Sequence, residues 1–182
     1  MEPELPRPEA PHFWQAVAST PGGESIIVCL RCEACTAVCP VEALEPRFSV
    51  RGTIARVRKG RRAEVLTDDA LWACTRCFAC DASCPSHARP GEIVAALRHL
   101  SLEAGADGLG PRHALAFVNG VRDRGRIHEA RVSMESAGLA GLFREGFRPL
   151  EMAWRGKGPS LRSRPIDSIT DVRRILAAGG PR

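Results

Sequence analysis

Eight cysteines, arranged in two short runs with the same internal spacing, are the residues of this chain with recognisable chemistry. In each run two residues separate the first three cysteines, three residues precede the fourth, and a proline follows it. No other cysteine occurs, so the pattern accounts for every thiol of the chain. The first run is Cys29, Cys32, Cys35, Cys39 and Pro40, and the second is Cys74, Cys77, Cys80, Cys84 and Pro85.

This spacing resembles that of the two-cluster ferredoxins and predicts two [4Fe–4S] clusters. Two residues between cysteines allow a tight turn to direct three sulfurs at three corners of one iron–sulfur cube. The fourth cysteine lies too far along the chain, points away and ligates the other cluster, which brings the cubes within electron-transfer distance. The predicted ligands are Cys29, Cys32, Cys35 and Cys84 for one cluster, and Cys74, Cys77, Cys80 and Cys39 for the other.

Structural zinc and disulfides are the alternative uses of the same cysteines. Zinc sites favour paired C-x-x-C knuckles separated by a longer loop, with four sulfurs around one ion. Three cysteines crowded into seven residues, twice, fit a cube better than a tetrahedron. Disulfides are disfavoured because both runs are too compact for a bridging framework and the start does not resemble a signal peptide.

Length and composition predict one domain of ordinary globular character, with extensions. The chain has 182 residues, of which 44% are hydrophobic and 26% charged, and it contains no Tyr. No apolar run approaches the roughly 18 residues needed to span a bilayer, so we expect no transmembrane segment and a cytoplasmic location. Because metal ligation must supply part of the folding free energy, we expect the metal-free chain to fold poorly.

The formal net charge of +5 describes the chain without its clusters. A resting [4Fe–4S] core carries 2+, and four thiolates bring each cluster to about −2, so the loaded protein carries about +1. The pI of about 9.0 therefore gives no support to a nucleic-acid partner.

Helical patterns dominate and predict a mainly α fold with few or no strands and a partly extended C-terminal tail. Between the cysteine runs, Ile54, Val57, Val65 and Leu66 indicate helix, and residues 67–69 provide the cap of a further short helix. Other expected elements are helices over 12–19, 91–104, 111–122, 126–137 and 168–178, a short extended segment over 26–28, a lead-in over 1–11, a short helix and loop over 138–155 and a linker over 156–165.

The second run resembles that of the C-type subunit of heterodisulfide reductase, because Trp72 precedes Cys74, a basic helical insert lies before it, and a helix begins at Pro90-Gly91-Glu92-Ile93. The broader group is the α-helical ferredoxins, which include the iron–sulfur subunits of succinate and glycerol-3-phosphate dehydrogenases. The resemblance covers about residues 24–135. It implies an α-helical ferredoxin-like dicluster domain over 24–137, an N-terminal extension over 1–23 and a partner-binding C-terminal extension over 138–182.

The resemblance implies an electron-transfer subunit that has no catalytic residue and works within a hetero-oligomer. Electrons would pass singly through the two clusters between two heterodisulfide reductase-like partners, an A-type subunit, which bears flavin and iron–sulfur centres, and a catalytic B-type subunit. The substrate would be the coenzyme M–coenzyme B disulfide in methanogens, whereas a similar complex of sulfur-oxidising bacteria is linked to lipoate-bound sulfur. The Arg- and Ala-rich composition favours the bacterial type. The alternatives are an iron–sulfur subunit of a quinone-linked dehydrogenase, a redox-sensing regulator and a zinc-binding interaction module.

Three further sets of residues also carry predictions. A basic stretch within residues 47–62 is either a docking face for an acidic redox partner or a solvated helix face. His87 either tunes a cluster or is simply exposed. Apolar residues beside the cysteines are expected to pack around the clusters. The basic stretch comprises Arg47, Arg51, Arg56, Arg58, Lys59, Arg61 and Arg62, and the apolar residues are Ile27, Leu30, Ala34, Val38, Phe78 and Ala79.

Overall fold

The computed structural model describes residue 10, residues 12–144, residue 151, residues 154–156 and residues 164–178, with backbone alone over 139–144. These ranges contain helices and turns and no β-strand, which confirms the predicted mainly α fold. Most of the predicted lead-in over 1–11 and of the linker over 156–165 lies outside them. The chain divides into two compact units, residues 1–106 and residues 107–182. The predicted boundaries after residues 23 and 137 stay predictions.

The first unit contains six α-helices and two 3-10 helices within the described residues. The longest is the helix that follows the second cysteine run, as its apolar periodicity predicted. The α-helices are α1 (Phe13–Ala18), α2 (Ala34–Ala37), α3 (Val50–Arg58), α4 (Arg62–Leu66), α5 (Ala79–Ala82) and α6 (Pro90–Glu103), and the 3-10 helices are Glu24–Val28 and Asp69–Ala73.

The core of the first unit forms around the apolar face of α6. Ile93, Val94 and Leu97 are completely buried there, and they belong to one cluster with residues of α1, α3 and α4. Burying each such side chain contributes about 1.5–3 kcal/mol. The Ser101 hydroxyl also donates a hydrogen bond of 2.6 Å to the carbonyl of Leu66, which joins α6 to the end of α4. The core thus fixes the position of α6, the helix that directly follows the second cysteine run.

The insert between the cysteine runs is helical, as predicted, and its helix ends follow ordinary capping chemistry. Ser49 caps α3 by accepting a hydrogen bond from the Gly52 N–H at 3.0 Å. Asp68 caps the second 3-10 helix through the Ala70 N–H at 2.9 Å, and it pairs with Arg56 at 2.7 Å. The insert therefore delivers the chain to Cys74 in a fixed position.

The predicted extended segment over 26–28 is wrong, since this segment belongs to the first 3-10 helix. Gly23, directly before this helix, lets the chain pass close to α1. A Cβ atom at this position would lie 2.0 Å from the carbonyl oxygen of Val17, so only glycine fits there. The turn places Ile26 in the core, whereas Ile27 and Val28 are exposed. Burial of one isoleucine overrides the β-propensity of its neighbours.

The second unit contains a helical hairpin of α7 (Leu109–Arg124) and α8 (Glu129–Arg144), followed by α9 (Ile169–Ala178). Gly125 ends α7 in the left-handed conformation, with φ of 70°. Arg131 pairs with Asp123 across the hairpin at 2.6 Å. Arg173 of α9 donates hydrogen bonds to the last carbonyls of α7. The helices predicted over 111–122, 126–137 and 168–178 are confirmed. The short helix predicted after residue 138 corresponds to the part of α8 beyond its kink at Gly138, whereas most of residues 145–155 lie outside the described residues.

Candidate iron–sulfur site

The two cysteine runs adopt matching local structures. Each run starts as a loop and continues into a four-residue helix that carries its third cysteine, α2 in the first and α5 in the second. In each, the third cysteine is buried, the second is exposed, and the first and fourth are intermediate. All eight thiols are free. The repeated spacing of the sequence is therefore a repeated structure, with eight soft sulfur donors of the kind that iron–sulfur clusters use.

Left-handed backbone conformations mark both loops at the same position. Arg31 and Arg76, each two residues after the first cysteine of its run, have φ of 57° and 53°. Such a conformation costs a non-glycine residue about 1–2 kcal/mol. Among the described residues, all non-glycine residues with positive φ lie within the runs or shortly after the second, and these others are Phe78, His87 and Arg89. Strain concentrated here indicates loops shaped for a ligand.

The second loop and the end of the first line the same small cavity. Cys74, Cys77 and Cys80 lie on its wall together with Cys39, and Gly91 at the start of α6 completes it. The cavity thus joins three cysteines of one run to the fourth of the other. No three His, Cys, Asp or Glu side chains of the described residues converge in the manner of a site for one metal ion.

Cys84 lies in a segment that is tied to the start of the first loop. Its Sγ accepts a hydrogen bond from the backbone N–H of Ala88 at 3.3 Å. The Ala88 carbonyl in turn accepts one from the hydroxyl of Ser25, four residues before Cys29, at 2.6 Å. Burial alone raises the pKa of the Cys84 thiol, but hydrogen bonds from Ser86 and Ala88 outweigh it and lower that pKa. These donors favour the thiolate that ligation requires.

The two buried thiols, Cys35 and Cys80, resist deprotonation in the absence of positive charge. Burial raises the pKa of Cys80 to about 12, and the adjacent Asp81 carboxylate adds to the increase. Burial likewise raises the pKa of Cys35. Negative charge on Cys74 and on Cys35 further disfavours the Cys80 thiolate. A positively charged iron–sulfur core would relieve this cost, so the donor set fits such a group.

Two side chains that the sequence reasoning missed hold the second loop. Arg98 of α6 donates a hydrogen bond of 2.6 Å to the carbonyl of Cys74. Asp81 accepts one from the N–H of Gly91, also at 2.6 Å. In the sequence, Arg98 lies four residues after Val94, one of the apolar residues of the predicted helix, and is therefore its neighbour on the helix surface.

Most of the basic stretch has partners within the first unit. Arg56 pairs with Asp68 at 2.7 Å and Arg61 with Glu64 at 3.0 Å. The other contacts are Arg47 with Glu45, Arg51 with Glu33, Arg58 with the Cys29 carbonyl, and Arg62 over the ring of Phe13. A docking role for this stretch therefore stays a prediction, with much of its charge already neutralised.

The remaining predicted positions differ in their exposure. Phe78 and Ala79 line the cavity with the second loop, although Phe78 is 45% exposed. Ala34 is half-buried in α2. Ile27, Leu30 and Val38 are all more than a third exposed. His87 is exposed, and its backbone N–H donates to the Cys84 carbonyl at 3.1 Å.

No described helix combines the length and apolar character needed to cross a membrane.

Comparison with known proteins agrees with this geometry. The family described as 4Fe-4S dicluster domain matches residues 25–88, which include both cysteine runs. A protein from Archaeoglobus profundus that is named as similar to the C-type subunit of heterodisulfide reductase is 30% identical over 155 residues, which cover 85% of this chain and 73% of that protein. The chain therefore belongs to the family of proteins like the C-type subunit of heterodisulfide reductase, as an iron–sulfur electron-transfer subunit that carries two [4Fe–4S] clusters.

Proposed function

We propose that the fourth cysteine of each run ligates the cluster of the other run. The observation that carries the proposal is the cavity wall shared by Cys39 with the second loop. Further support comes from the link between the Cys84 segment and Ser25, just ahead of the first loop. The proposed ligand sets are Cys29, Cys32, Cys35 and Cys84 for the first cluster, and Cys74, Cys77, Cys80 and Cys39 for the second.

The role proposed for the chain is to relay single electrons within a cytoplasmic heterodisulfide reductase-like complex. The clusters supply one-electron oxidation and reduction. The protein's contribution is to hold them close together, which is supported by the packing of α2, which carries Cys35, against α5, which carries Cys80. The exposed second cysteines, Cys32 and Cys77, give each cluster an edge that a partner can approach.

The proposed partners are the flavin- and iron–sulfur-bearing A-type subunit, together with the catalytic B-type subunit, of such a complex. The relative from Archaeoglobus profundus, named as similar to the C-type subunit, supports membership of such an assembly. Bond-making on the sulfur substrate then occurs in the catalytic partner, and this chain transfers charge. Within this group we favour the bacterial sulfur-oxidation type on the Arg-rich composition, since only two of 26 basic residues are lysine.

Anaerobic reconstitution with the separately purified flavin-bearing and catalytic partners tests the proposed relay. The reduced flavin-bearing partner is mixed with the catalytic partner, and reduction of the catalytic partner is followed in a rapid-mixing spectrometer. We expect transfer with the loaded wild-type chain and strongly slowed transfer with Cys84→Ser. Equal rates with and without the chain would contradict the relay. Stable assembly with a cytochrome b in place of these partners would instead support the quinone-linked alternative.

A further inference from the structure

Each cysteine loop is held by an arginine that binds the backbone carbonyl of its first cysteine. Arg58 Nη1 donates to the Cys29 carbonyl at 2.9 Å, and Arg98 Nη2 donates to the Cys74 carbonyl at 2.6 Å. The first arginine belongs to α3 and the second to α6. The two loops therefore receive the same contact from different helices.

The surroundings of the two arginines differ. Arg58 is exposed to water, whereas Arg98 is half-buried. Arg98 makes a second hydrogen bond, from Nε to the Leu71 carbonyl at 3.1 Å, and its guanidinium lies 5.2 Å from the ring centre of Trp72. Two carbonyls and one aromatic face thus fix its position, so its charge acts from a defined place beside the second loop.

The charge of Arg98 has no carboxylate partner within ion-pair distance among the described residues. The nearby cation Arg76 is paired with Glu92 at 3.4 Å, and the Asp81 carboxylate accepts from the Gly91 N–H. A half-buried cation without a counter-ion is costly, so an anionic group beside it would be stabilising.

We propose that Arg98 is the counter-charge of the cluster bound by the second cysteine run and raises the reduction potential of that cluster. This inference rests on the proposed function, because it requires a cluster at Cys74, Cys77 and Cys80. Four thiolates leave the resting cluster at about −2, and an added electron makes it more negative. A fixed cation in a low-dielectric setting stabilises the reduced form more than the oxidised form. Water screens the exposed Arg58, which therefore has the smaller effect.

Potentiometric titration of the loaded protein, monitored by EPR, tests this role. Arg98→Gln removes the charge, Arg98→Lys keeps it while losing the planar hydrogen-bonding fork, and Arg58→Gln is the matched control on the other loop. A Cys77→Ser variant identifies which signal belongs to the second run. We expect Arg98→Gln to shift that signal to more negative potential and to leave the other in place. Arg98→Lys should keep both near their wild-type positions, and Arg58→Gln should cause a smaller shift, confined to the first run.

Several outcomes would overturn the role assigned to Arg98. Equal shifts in Arg98→Lys and Arg98→Gln would show that charge is not the cause. Loss of iron in both variants to the same extent would make Arg98 a structural anchor only. If Arg98→Gln alone fails to hold the cluster of the second run, the test relies on Arg98→Lys. A marked shift in the reduction potential of that cluster in Arg98→Lys, where the charge is retained, would contradict the proposal. A wild-type protein without two clusters would instead refute the proposed function, before any arginine variant is made.

Discussion

The carboxylate of Asp81 accepts a hydrogen bond from the backbone N–H of Gly91, with Oδ1 and the nitrogen 2.6 Å apart. Arg89, at the N-cap of α6, provides no side-chain hydrogen bond, so Asp81 serves as the cap from a distant position. Asp81 also follows Cys80 directly. The start of the longest helix of the first unit is thereby joined to the second cysteine run.

Asp81→Ala should destabilise the loaded protein by about 0.5–2 kcal/mol, the range for loss of a helix cap. Thermal unfolding under anaerobic conditions measures the effect, with exposed Asp69→Ala as the control. An Asp81→Ala variant as stable as the control would show that this contact contributes nothing to the fold.

Cys39→Ser should damage the cluster of Cys74, Cys77 and Cys80 more than its neighbour. The reason is that Cys39 lines the same cavity as the three cysteines of the second loop. EPR of the reduced protein, with iron analysis, measures the change. Cys84→Ser is the reciprocal control and should affect the other cluster. Loss confined to the cluster of Cys29, Cys32 and Cys35 in the Cys39 variant would contradict the crossed assignment.

Patterns within short stretches predicted most of the helices. Asp68 caps the second 3-10 helix as its place in the sequence indicated, and α6 carries its buried residues at the expected spacing. The first 3-10 helix was missed because it packs against α1 and buries Ile26 in the core, and such contacts are not visible in local propensity. Arg98 was missed for a similar reason, since its partners are carbonyls 24 and 27 residues away. Cysteine spacing specifies donors, but not the groups that neutralise their charge.

Leu97→Ala should destabilise the first unit by about 2–5 kcal/mol, since it leaves a cavity in a close-packed core. Leu97 is completely buried on α6, whereas Leu115, in the second unit, is 44% exposed. Leu115→Ala is therefore the control and should cost much less. Denaturation of the loaded protein, followed by loss of cluster absorbance, provides the comparison. Equal costs for the two variants would mean that α6 does not form the centre of the core.

The carboxyl of Asp107 should titrate below its ordinary range. The guanidinium of Arg112, hydrogen-bonded to it at 2.7 and 2.8 Å, lowers the pKa of Asp107. Because the native pKa is lowered, the pair contributes fully to stability at pH values above the unfolded-state pKa of Asp. That contribution is lost as the pH falls from the unfolded-state pKa through the lower native pKa. NMR titration of the side-chain carboxyl should show the pKa rising in Arg112→Gln and staying unchanged in Lys59→Gln. An ordinary pKa in the wild type would contradict the pairing.

Iron and acid-labile sulfide analysis of anaerobically purified protein, together with EPR after reduction, tests the central claim most directly. Two [4Fe–4S] clusters predict about eight irons and eight sulfides per chain, with EPR signals of two reduced centres. Colourless protein with stoichiometric zinc in the cysteine runs, or iron sufficient for one cluster only, would contradict the account.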